Sequence, residues 1–119
     1  MIERRGAPRL DISVEVELDL PGKERPILGN SINISHSGVY FETSYFMEEG
    51  TKLPMIIRLP EEEDPWVLSQ EGIVVRCVPP KEDPDRADYR VACFFYDIDE
   101  TTRERLDAYV RARIPSAKS

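Results

Sequence analysis

Two short clusters in the chain carry side chains suited to chemistry. Arg4, Arg5 and Arg9 fall within the first nine residues, and Asn33, Ser35 and Gly38 fall within the stretch Asn33-Ile-Ser-His-Ser-Gly38. A guanidinium is a planar fork that donates two parallel hydrogen bonds to an anionic group or a purine edge, and it also stacks on a ring face. Asn33 offers a donor and an acceptor, and Ser35 a small hydroxyl that leaves room for a ring. Gly38 supplies a corner where backbone can approach closely and φ can turn positive. Joined, the clusters suit a ligand with planar acceptor edges and anionic oxygens. Taken singly, each has a plainer reading. Arginines near a chain start are often simply solvated, and Asn, Ser and Gly are ordinary turn residues.

The elements that must position these residues have mostly a period of two. Leu10, Ile12, Val14, Val16, Leu18 and Leu20 alternate with polar partners, which predicts one long half-buried strand. Pro21-Gly22 breaks it, and a second strand follows to Ile34, with Ile32 and Ile34 on one face. Val39 and Phe41 continue beyond the Gly38 corner, and Leu53, Met55, Ile57 and Leu59 alternate again. Trp66 to Pro79 is the longest run, with Ile73, Val75 and Cys77 on one face and Gly72 as a bulge or bend. Tyr89 to Ile98 is apolar on both faces, which predicts cover on both sides. The period then changes: Leu106, Tyr109, Val110 and Ile114 have helical spacing, with Asp99 as N-cap and Pro115 as terminator. Glu100 in the first turn and Arg111 and Arg113 in the last match the helix dipole.

Six strands and one terminal helix, without strand–helix–strand alternation, predict an all-β fold. A six-stranded antiparallel β-barrel capped by a C-terminal α-helix leaves no edge strand exposed. At 119 residues the chain has room for one modest core. Residues 1–9 read as a flexible N-terminal arm and 10–119 as the single barrel domain.

Charge narrows the partners. The net charge is −7, yet Arg4, Arg5 and Arg9 against Glu3 give residues 1–9 a net +2, which leaves −9 on the remainder. Such a surface repels nucleic-acid polymers and anionic lipid, while a local arginine cluster can still hold one small anion. No apolar run reaches the length of about 20 residues needed for a membrane span, and the Met-Ile-Glu-Arg-Arg start lacks a signal-peptide core. A cytoplasmic location is the expectation.

Other candidates carry less. Cys77 and Cys93 lie in apolar strand-like runs and read as buried free thiols. The single histidine, His36, reads as solvent-facing, and no metal site or nucleophilic triad follows from the residue types present. The acidic stretches Glu61–Asp64 and Glu82–Asp83 lack the spacing of a calcium loop. Trp66 either caps a barrel end or stacks on a base. Arg76 and Arg90 either line the barrel face near a ligand or simply point outward from their strands.

The two clusters, in this order and separation, resemble the RxxxR and (D/N)xSxxG signature of the PilZ family of cyclic di-GMP receptors. The resemblance extends over most of the chain through Gly72-Ile-Val-Val-Arg76, Tyr89-Arg-Val-Ala-Cys-Phe94 and the terminal helix. It implies that Arg5 and Arg9 are the paired arginines, with Arg4 the extra arginine before them, and that Asn33, Ser35 and Gly38 complete the ligand set. Asn33 stands where Asp is commoner, and Ser37 where a second glycine is frequent. The ligand implied is cyclic di-GMP, in one or two copies, with no cofactor, no metal and no catalysis. Binding would reorder the arm, and with no output module in the sequence the signal would pass to an unidentified effector protein. A PilZ-fold adaptor that ignores the nucleotide is the alternative.

Overall fold

The structure is a computed structural model, and it describes residues 7–114. Seven strands and one helix occur in chain order: β1 (Leu10–Asp11), β2 (Glu15–Leu18), β3 (Ile27–Ser35), β4 (Gly38–Thr43), β5 (Lys52–Leu59), β6 (Trp66–Val78), β7 (Tyr89–Phe95) and α1 (Glu100–Arg113). Every pairing is antiparallel. The order β3-β2-β5-β6-β7-β4 returns to β3 through the β3–β4 hairpin, so the sheet closes. β1 and β2 lie end to end along the same side of β3 and share one barrel position. Six strand positions and a terminal helix result, the helix-capped antiparallel barrel that the alternation predicts and that the resemblance to the PilZ family implies.

One predicted strand is therefore two. The alternation from Leu10 to Leu20 continues, but the ladder stops between Asp11 and Glu15. The buried Ser31 explains the break. Its hydroxyl donates to the Ile12 carbonyl and accepts from the Val14 N–H at 2.9 Å, while its own N–H bonds the Val14 carbonyl. A side chain thus takes over pairing that the backbone otherwise supplies.

Inward positions fill the barrel. Val16, Leu18, Ile34, Phe41, Leu53, Ile57, Leu59 and Val91 are fully or almost fully buried. Each such side chain contributes on the order of 1.5–3 kcal/mol by leaving water. α1 places Leu106, Tyr109 and Val110 against this core. The Tyr109 hydroxyl donates to the Pro60 carbonyl at 2.6 Å, and Arg105 lies 4.0 Å over the Trp66 ring. Trp66 is thus part of the packing between β6 and α1. Asp99 caps the helix as its position suggests, accepting from the Thr102 N–H.

Two β-bulges reverse the alternation. On β3, Ile27, Gly29 and Ser31 are buried; a register shift between Ser31 and Asn33 then makes Ile34 the inward residue. Ile32 is the extra residue, and it does not share the inward position of Ile34. On β6, Val74 is buried, the register shifts between Val74 and Arg76, and Cys77 is buried next. Val75 is the extra residue and is 38% exposed. The predicted face of Ile73, Val75 and Cys77 is therefore wrong: Val74 and Cys77 point inward. Gly72 is not the bulge either. A Cβ there would lie 2.5 Å from the methyl of Met55, so glycine makes space for a core side chain.

Candidate functional site

The register brings the two clusters together. Leu10 pairs with Ile34 and Asp11 with Asn33, so the chain enters β1 with Arg9 beside Ser35. The bulge at Ile32 sends Asn33 to the outer face of the barrel; strict alternation from the buried Ser31 would have turned it inward. The β3–β4 connection is then only His36 and Ser37, since Ser35 already pairs with Gly38.

That connection is braced by its own hydroxyls. The Ser37 N–H donates to Ser35 Oγ at 3.1 Å, and the two hydroxyls lie 3.0 Å apart. Ser35 is 5% exposed, so its hydroxyl serves the turn as well as bordering the outer face. Gly38 keeps an ordinary negative φ, because the positive-φ glycines among the described residues are Gly22 and Gly50. The positive φ expected at this corner is absent, and the close approach is what glycine supplies. A Cβ on Gly38 would collide with the Cys93 carbonyl oxygen of β7. His36 is half-buried rather than solvent-facing, and its Nδ1 is buried without a hydrogen-bond partner.

Across the outer face two neighbouring rows of residues emerge. One runs Arg76–Ala92–Tyr40–Asn33–Asp11 over β6, β7, β4, β3 and β1, each residue the register partner of the next. The adjacent row runs Phe94–Gly38–Ser35 and ends beside Arg9. The rows enclose an open cavity of about 340 Å³, lined by Arg9, Asn33, Ser35, Tyr40, Arg76 and Phe94 over a floor that includes Gly38 and Ala92. Among the described residues, neither Arg9 nor Arg76 has a carboxylate within 4.0 Å. Burial pushes the neighbouring Cys93 thiol up to about 12, so this border of the cavity stays neutral. Two uncompensated guanidiniums, an amide and an aromatic face can hold a planar, anionic molecule. The hydroxyls of Ser35 and Ser37 are engaged with each other at the turn, 3.0 Å apart.

Of the residues singled out from the sequence, Arg9, Asn33, Ser35 and Gly38 lie together here, while Arg4 and Arg5 fall outside the described residues. Arg76 lines the cavity. Arg90 does not, and pairs instead with Glu42 at 3.5 Å. Trp66 lies elsewhere, against Tyr109. Tyr40, Ala92 and Phe94 escaped the sequence reading. The double-sided apolar pattern of β7 predicts cover on both faces, whereas Phe94 is 57% exposed at the cavity. A second cavity, of about 380 Å³, is bordered by Glu15, Glu42 and Asp88 and has no cation of its own in the lining. No group of three or more His, Cys, Asp or Glu residues suited to a metal ion occurs among the described residues.

Comparison with known proteins decides the family. The model of the PilZ domain matches residues 3–112. The chain belongs to the PilZ domain family. The protein YpfA of Bacillus subtilis (strain 168) is 38% identical over 77 residues, which cover 63% of this chain and 35% of that protein. The structure of the Bacillus subtilis inhibitor of motility MotI/DgrA superposes with a TM-score of 0.76 at 27% identity, covering 94% of this chain and 52% of that one. The PilZ domain of YcgR from Escherichia coli, solved with c-di-GMP, superposes with a TM-score of 0.68 at 13% identity, covering 92% and 91% of the two chains. This PilZ chain thus spans about a third of YpfA and about half of MotI/DgrA. No helix among the described residues is long and apolar enough to cross a membrane.

Proposed function

We propose that this PilZ domain is a receptor for cyclic di-GMP that acts in the cytoplasm and signals through an effector protein rather than by catalysis. The observation that carries this reading is the convergence of Arg9, Asn33, Ser35 and Gly38 on one outward-facing cavity. Arg4 and Arg5 immediately precede that edge in sequence. The PilZ domain of YcgR, whose fold this chain shares, is described as solved with c-di-GMP, which supports the choice of ligand.

In this reading residues 1–9 are a ligand-binding arm on the barrel formed by residues 10–119. The arginines of the arm take guanine edges and phosphate oxygens, for which the planar fork is suited. Asn33 adds an amide from the sheet, and Ser35 with Gly38 shapes the corner. Closure of the arm over the nucleotide changes the surface offered to the effector.

Titration calorimetry with cyclic di-GMP, with linear pGpG and GTP as controls, tests the proposal. Saturable binding of the cyclic form is expected, and Arg5→Ala and Arg9→Ala should each cost about 1.5–3 kcal/mol, the range for hydrogen bonds to charged groups. The absence of any heat or thermal shift with the wild-type protein would leave the same fold as a nucleotide-independent adaptor.

A further inference from the structure

Resting on the reading above, we propose that Arg76 is a second cationic jaw of the site, which grips a phosphate of the ligand opposite the grip of Arg9. Arg76 lies outside both sequence clusters, and three features of the fold assign it this place.

The first is the bulge on β6. Leu68, Gly72 and Val74 share the inward parity, and unbroken alternation would carry Arg76 inward with them and put Cys77 outside. The extra residue Val75 inverts this, so that Cys77 is buried and Arg76 stands on the outer face opposite Ala92. The bulge on β3 does the same for Asn33. Both irregularities among the barrel's outer pairings thus deliver a polar side chain to one cavity. Bulges that re-aim side chains are over-represented at sites of function.

The second is position. Arg76 and Asn33 lie in one cross-strand row, three strands apart, with Ala92 and Tyr40 between. At about 4.8 Å per strand the ends of that row are roughly 14 Å apart along the sheet. Arg9 stands at the Asn33 end and Arg76 at the other. Between them the floor carries the small residues Gly38 and Ala92 beside Tyr40, and a single cavity is lined by both guanidiniums. A cyclic dinucleotide is a two-fold molecule with a phosphate on each side of its ring. A site with a cation at each end matches that distribution of charge better than a single cluster does.

The third is electrostatic. The chain carries a net −7, and five of its arginines are held by carboxylates within 4.0 Å. Arg76 has no such partner among the described residues, although Arg90, two positions from the row on β7, pairs with Glu42. An exposed guanidinium left uncompensated beside a cavity attracts an anion at little desolvation cost.

The test is calorimetry of cyclic di-GMP binding to wild type, Arg76→Ala, Arg76→Lys and Arg90→Ala, with circular dichroism to verify folding. Arg76 is exposed and holds no carboxylate partner among the described residues, so its variants should fold as the wild type does. Arg76→Ala is expected to weaken binding about ten-fold or more, as for a lost charged hydrogen bond. Arg76→Lys should recover most of the affinity, because a phosphate accepts a point charge, and Arg90→Ala should bind normally. Normal binding by Arg76→Ala overturns the proposal while leaving the receptor reading intact. A lysine variant no better than alanine overturns the phosphate assignment. A wild-type protein that binds nothing overturns the receptor reading itself, and this inference with it.

Discussion

The carbonyl oxygen of Cys93 occupies the space that a side chain on Gly38 would need. A Cβ at position 38 falls well inside 3.0 Å of it. The obstacle is backbone in a paired strand, so β4 and β7 must separate to admit even a methyl group. Gly38→Ala should therefore lower stability by about 1–3 kcal/mol, the usual cost of overpacking. It should also weaken cyclic di-GMP binding, because the same seam sets the spacing between Phe94 and Ser35. Chemical denaturation followed by titration checks both effects. A stable variant with normal affinity would show that the seam yields freely.

Phe94 presents the opposite case. It is 57% exposed on the outer face, so the folded protein gains little from its ring. Phe94→Ala should change stability by no more than about 0.5 kcal/mol, as for an ordinary surface substitution. Under the proposed function the ring is a platform for a base, and stacking of that kind is worth about 1–3 kcal/mol. Affinity should fall while the melting temperature holds. A fall in both together would assign Phe94 to the barrel rather than to the site.

Much of this was legible in the sequence, and what was not has a common physical cause. Alternation, turn residues and the change of period gave most of the strands, the corner near Gly38 and the helix capped by Asp99. Both bulges stayed hidden because the extra residues, Ile32 and Val75, are themselves apolar. An apolar insertion in an alternating strand leaves no mark of composition, yet every side chain beyond it changes face. That slip made Val75 look buried and left Arg76 undecided. Ser31 hid the break between β1 and β2 in the same way, since a serine hydroxyl can replace ladder bonds without disturbing the apolar pattern. Phe94 was misread for a different reason: an apolar residue facing outward looks the same whether covered by protein or reserved for a ligand.

The two cysteines should be inert in the native state. Both are free and buried, and burial raises both thiols, Cys93 to about 12. The thiolate is the reactive form, so at pH 8 a disulfide-exchange reagent such as DTNB should label neither until the protein unfolds. Two equivalents should then appear with the unfolding transition. Rapid labelling of the folded protein would mean that β6 and β7 open locally.

Asp99 gives a pH dependence of definite sign. Its carboxylate accepts a hydrogen bond from the Thr102 hydroxyl at 2.7 Å and another from the Thr102 N–H at 3.3 Å, and these hold its pKa below the usual carboxylate value. A group whose folded pKa is depressed stabilises the native state above its unfolded value, about 3.9 for aspartate, and this contribution disappears as pH falls through the folded pKa. Asp99→Asn keeps a capping side chain but cannot ionise. Wild type should therefore exceed Asp99→Asn in stability at neutral pH, and the gap should close as pH drops below about 3.9. Because the cap is exposed, high salt should narrow the gap at neutral pH as well. Denaturation curves at several pH values for both proteins check this, and a gap that persists at low pH would place the effect in packing rather than in charge.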